Sequence, residues 1–127
     1  MSSRFIWYEL VARDPGAAAA FYGAVVGWTT ASAGMGGMDY QIFSTDGVGI
    51  GGLMPLADAG DMGAGPGWLG YVSVADVDAS VARIVAAGGK LLSPAMDVPS
   101  VGRMAMVADP QGARLHVMAP IGESSTT

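Results

Sequence analysis

The chain has 127 residues, 51% of them hydrophobic and 13% charged, with a formal net charge of −5. That length suits one domain able to bury roughly two-thirds of its unfolded surface without covalent staples. The absence of cysteine excludes disulfide, thiolate and cysteine-ligated metal chemistry, and an acidic chain with no basic stripe is not built to grip a nucleic-acid backbone.

Met1 to Arg4 runs straight into the first strand, with no charged segment followed by a long apolar one, and no run is long enough to span a membrane. A soluble cytoplasmic protein with no membrane partner is the expectation. Phe5 to Ala12 is mostly apolar and aromatic, which predicts a strand packed on at least one face. Asp14 sits where an N-cap belongs, and Pro15 suits the first helical position because its missing N–H would have no partner there. Ala17 to Val26 continues the helix, and Gly27 suits the left-handed residue that ends one.

Thr29 to Ala33 reads as a short strand and Gly34 to Gly37 as a turn. Asp39 to Ser44 resumes a strand, Asp46-Gly47 signals a hairpin, and Val48 to Met54 returns. Gly49, Gly51 and Gly52 thin that last strand, either for close approach of a ligand or another backbone, or as a flattening or bulge. Pro55 to Gly67 reads as a long connection and possible lid.

The plan then repeats. Trp68 to Val74 is a strand, Asp76 caps a helix over Val77 to Ala87, and Gly88-Gly89 closes it. Gly89 to Ser93 is a strand, Pro94 to Ser100 a loop, and Val101 to Ala108 a strand. Asp109-Pro110-Gln111-Gly112 is a turn, Ala113 to Ala119 the last strand, and Gly122 to Thr127 a polar tail. Asp76 follows Asp14 by 62 residues, and at that offset Ala17, Ala20, Ala24 and Gly27 meet Ala79, Ala82, Ala86 and Gly89. Identities in helical register with both caps predict an internal duplication, with the small residues facing the sheet. Residues 1–127 are therefore expected to form a single domain, built from module 5–54 and module 68–119 joined by loop 55–67.

Two such modules, each an Asp-led helix after its first strand, with a DPxG turn before the final strand, resemble the vicinal oxygen chelate superfamily, which includes glyoxalase I, bleomycin resistance proteins and extradiol dioxygenases. The stretches WYEL, DPGAAAAFYGAVVGW, GWLGYVSVADVDA and VGRMAMVADPQGA are most similar to its glyoxalase-related, lactoylglutathione-lyase-like branch. The resemblance implies an α+β fold in which two βαβββ modules form a half-open barrel with the site on its concave face. It also implies ligand positions for a metal on the first and last strands of each module. Carried over, those positions fall on Trp7, Gly51, Leu69 and His116, of which His116 alone is a donor. A cation needs three or more converging donors, so no metal and no cofactor are expected.

Alternation along strands places Glu9 with Trp7, Tyr71 with Leu69, and Arg114 and Met118 with His116. Trp7, Leu53, Leu69, Tyr71 and Met118 are the candidate ligand-binding residues of an apolar cup, with Glu9 and His116 as candidate acid and base. Paired, those two would raise the histidine pKa; alternatively, Glu9 balances Arg4 or Arg114 and His116 is an ordinary interior histidine. Arg103 would hold an anion or form a surface ion pair. The function expected first is binding of a small, largely apolar molecule in a metal-free cup. The alternatives are a metal-independent lyase or isomerase using Glu9 and His116, and a non-catalytic interaction module. A homodimer is expected, because short modules leave sheet edges open.

Overall fold

A computed structural model describes residues 3–33, 40–59, 66–98 and 101–121. It is α+β. In chain order the elements are β1 (Phe5–Ala12), α1 (Pro15–Val26), β2 (Thr29–Ser32), β3 (Gln41–Thr45), β4 (Val48–Pro55), a 3-10 turn (Leu56–Ala59), β5 (Gly67–Ser73), α2 (Val77–Ala86), β6 (Lys90–Val98), β7 (Gly102–Ala108) and β8 (Arg114–Pro120). The Gly34 to Gly37 turn, residues 60–65 of the Pro55 to Gly67 connection and the tail from Gly122 lie outside the described residues.

The chain divides into two compact units, Trp7–Leu69 and Gly70 onward together with the residues up to Ile6. In the first, the strands run β1-β4-β3-β2, with β1 parallel to β4; in the second they run β5-β8-β7-β6, with β5 parallel to β8. One βαβββ topology is thus used twice, as the sequence repeat predicts.

Both helices begin as their sequences dictate. Asp14 accepts from the Ala17 N–H at 3.1 Å and Asp76 from the Ala79 N–H at 3.0 Å, each occupying an N–H that has no partner within the helix. Gly27 ends α1 at φ 76°, in the left-handed region that glycine enters without strain.

The helix faces differ from the expectation. Ala17, Ala20 and Ala24 are exposed, as are Ala82 and Ala86. The packed face lies beside them: Ala18, Ala19 and Tyr22 cover Leu10, Ala12, Phe43 and Leu53 in the first unit. Val77, Val81 and Ile84 cover Ala105, Val107 and Val117 in the second. The 62-residue register survives, since Ala19 and Tyr22 correspond to Val81 and Ile84; burial of larger side chains decides the face, as it removes more apolar area from water.

β6 is also longer than expected, running through Pro94 to Val98 where a loop was predicted. Its pairing with β7 shifts register between Leu91 and Ser93 and again between Ser93 and Met96. Pro94 falls in the second irregularity, on a strand that ends its unit's sheet, where a missing N–H is tolerated. The Asp46-Gly47 hairpin forms as predicted, with φ of 52° and 77°.

Candidate functional site

In the first unit α1 covers the face of β1 that carries Leu10 and Ala12, so alternation turns Trp7, Glu9 and Val11 to the opposite face. Leu53, expected among the ligand-binding residues, is instead fully buried in the core beneath α1. The pairing of its strand with β3 shifts register between Phe43 and Ser44, and a one-residue shift turns the residues after it to the other face.

Trp7 and Glu9 are joined by a residue the sequence did not single out. The Trp7 indole Nε1–H donates to the Tyr40 hydroxyl at 3.0 Å, and Tyr40 in turn hydrogen-bonds the Glu9 carboxylate. Burial, and then the Glu9 charge, raise the Tyr40 pKa well above the ordinary phenol value, so the phenol stays a donor to the buried carboxylate. Gly52 makes room for this: a Cβ there would run into the Tyr40 hydroxyl and ring. The signal was present in the sequence as glycines within β4, though not which ring would fill the space.

In the second unit α2 covers Ala105, Val107 and Val117. Alternation through the regular β7–β8 pairing therefore puts Met104, Met106, Arg114, His116 and Met118 on the face turned away from that helix. Tyr71 is paired with His116 on the neighbouring strand, and the two rings stack 4.2 Å apart at 5°. Leu69 is buried and shares the Tyr71 face of β5.

His116 is 8% exposed, and its Nδ1 is buried without a hydrogen-bond partner. Burial pushes its pKa down to about 4, the reverse of the rise expected from a neighbouring carboxylate. The ring is therefore neutral near pH 7. Arg114, two residues before it, also has a buried nitrogen without a partner, Nη1.

The metal positions do not fit a metal. Trp7 and Leu69 offer no donor, and at Gly51 even a Cβ would lie 2.8 Å from the Tyr8 carbonyl oxygen, so a longer ligating side chain there requires the backbone to move. No group of three or more His, Asp or Glu able to hold an ion occurs among the described residues. Arg103 is also committed: its guanidinium makes two 3.0 Å bonds to Asp78 and a 3.2 Å contact with Asp97, at a cleft of about 490 Å³ beside the start of α2. That is the surface ion pair, and the bond to Arg103 lowers the Asp78 pKa. No described helix is long and apolar enough to cross a membrane.

The family model of the Glyoxalase/Bleomycin resistance protein/Dioxygenase superfamily matches residues 4–117. The chain is 40% identical over 118 residues to "Putative glyoxylase CFP32" of Mycobacterium tuberculosis, covering 91% of this chain and 43% of that protein. It is 34% identical over 123 residues to the anthracycline biosynthesis protein DnrV of Streptomyces peucetius, covering 87% of this chain and 45% of that one. It thus spans less than half the length of these relatives. Among solved structures, a variant of Streptomyces coelicolor methylmalonyl-CoA epimerase in complex with 2-nitronate-propionyl-CoA superposes with a TM-score of 0.64 at 19% identity, over 94% of this chain and 95% of that one. At that identity the likeness is one of fold.

Proposed function

Because the chain belongs to the Glyoxalase/Bleomycin resistance protein/Dioxygenase superfamily, we propose that it binds a small, largely apolar molecule, without a metal, on the sheet face that carries Tyr71, His116 and Met118. The observation that supports this reading is the partnerless Nδ1 of His116. A buried polar atom without a hydrogen bond is destabilising by about 1–3 kcal/mol and is rare in native proteins. Here it sits on a face where, Arg114 apart, the neighbours Tyr71, Met104, Met106 and Met118 are apolar or aromatic and adaptable in shape. Such a lining with few polar groups is what a small organic ligand requires.

The pKa of His116 favours binding over turnover. An imidazole held near 4 is neutral but a weak base, far from the value matched to proton transfer at neutral pH. A second reading, a metal-independent lyase or isomerase, draws support from the buried Glu9 carboxylate held by Tyr40. A homodimer belongs to the first reading, since β2 and β6 each end their unit's sheet with open backbone groups.

A thermal-shift screen of hydrophobic metabolites, antibiotics and thiol conjugates tests the proposal. A ligand at one hundred times its dissociation constant adds about 2.7 kcal/mol, and Tyr71→Ser should abolish the shift. A screen in which no compound moves the midpoint counts against binding. Turnover of a hit that is lost in Glu9→Gln, with binding retained, would favour the enzyme. Light scattering should give twice the chain mass; a monomer at micromolar concentration contradicts the dimer.

A further inference from the structure

We propose that Arg114 and His116 together form an anion site on this face, and that the ligand is a carboxylic acid with an apolar body. The inference rests on the binding reading above and names the chemistry of its ligand.

The two side chains lie two residues apart on β8, about 7 Å along the strand, and project to the same side. Each keeps one buried nitrogen, Arg114 Nη1 and His116 Nδ1, with no hydrogen-bond partner. A guanidinium N–H deprived of both water and an acceptor is a costlier omission than a neutral one, because hydrogen bonds to charged groups are the stronger kind. Two such atoms on one face call for one acceptor group that satisfies both.

The acceptor is anionic. Arg114 carries a fixed positive charge, and the other members of this face on β7 and β8 are Gly102, Met104, Met106, Ala108, Met118 and Pro120, none of them an acid. His116 is neutral and adds a hydrogen bond rather than charge: with its proton on Nδ1 it donates to the second oxygen of a carboxylate. Its ring plane is held by the stack on Tyr71, so the donor is oriented before the ligand arrives. The methionines and the Tyr71 ring then suit the apolar remainder of the acid. Arg103 is no rival for the anion, because Asp78 and Asp97 already occupy its donors.

His116 is the only histidine in the chain, so its ring nitrogens give a single, unambiguous nuclear magnetic resonance signature. Hexanoate titrated into nitrogen-15-labelled protein should shift those resonances to saturation. Hexanamide, which lacks the charge, should bind about tenfold more weakly or worse, the loss expected for one hydrogen bond to a charged group. This comparison uses the wild-type chain and depends on no variant folding. Arg114→Gln should weaken hexanoate by a similar factor and hexanamide by less, and Arg114→Lys should restore part of the loss. Equal binding of acid and amide, or full-strength hexanoate binding to Arg114→Gln, overturns the anion site while leaving apolar binding intact. Inorganic phosphate binding as tightly as hexanoate overturns the organic-acid assignment in favour of a free oxyanion. Resonances unmoved by every probe, with no thermal shift from any apolar compound, sink both the anion site and the binding reading.

Discussion

Acidification should destabilise this protein through one side chain. His116 is 8% exposed and held near a pKa of about 4, against 6.5 for a free imidazole. Between those values the unfolded chain takes up a proton that the folded chain refuses, so stability rises with pH there and falls as the solution is acidified. At 1.36 kcal/mol per pH unit the fall from 6.5 to 4 is worth about 3 kcal/mol, fully present above pH 6.5 and fully lost once pH drops through 4. Against a urea dependence of about 1–3 kcal/mol per molar, that moves the unfolding midpoint by about 1–3 M. Carboxylates also contribute to acid unfolding, so the comparison must be made with His116→Gln, which keeps a polar group and cannot titrate. Urea midpoints for both proteins at half-unit steps from pH 7.5 to pH 4 should show wild type losing stability faster, with the curves converging toward pH 4. Parallel curves would refute the reasoning, since they would mean that His116 titrates as it does in the unfolded chain.

The remaining predictions concern the other unit, the helix ends and the metal. Gly52→Ala should destabilise by about 1–3 kcal/mol by urea unfolding, because its methyl group displaces Tyr40. Tyr40→Phe should cost about 1–3 kcal/mol by leaving the buried Glu9 carboxylate without its phenol donor; the double variant should cost less than the sum, because both act on one network. Asp14→Ala and Asp76→Ala should each cost about 1 kcal/mol in the same assay, as lost helix caps. Elemental analysis of tag-free, dialysed protein should find no stoichiometric transition metal, and a chelator should leave the thermal midpoint unchanged. One metal per chain, lost in His116→Ala, would contradict the donor count.

Much of the architecture was legible because local signals and topology agreed. The Asp caps, the glycine at the end of α1, the Asp46-Gly47 hairpin and the repeated strand–helix–strands plan all depend on short-range chemistry. The packed helix face was misread for the opposite reason: identities between the two copies marked Ala17, Ala20 and Ala24, whereas burial follows the larger Tyr22, Val81 and Ile84. Pro94 was read as a loop residue because a sequence does not show that its strand lies at an edge. Leu53 alternates correctly on paper, but a register shift between β3 and β4 turned it into the core under α1, and such shifts arise only from pairing. Alternation put Arg114 with His116 and Tyr71 with Leu69 from the sequence alone. It could not show that two nitrogens on that face would be buried without partners, nor that the histidine would be kept neutral.

Native mass spectrometry of the protein isolated from the cells that make it tests the central claim most directly. The account predicts one small, apolar, non-covalent adduct per chain, absent from Tyr71→Ser prepared in the same way. A wild-type chain that appears only at its bare mass, or an adduct that survives Tyr71→Ser at equal occupancy, would contradict it.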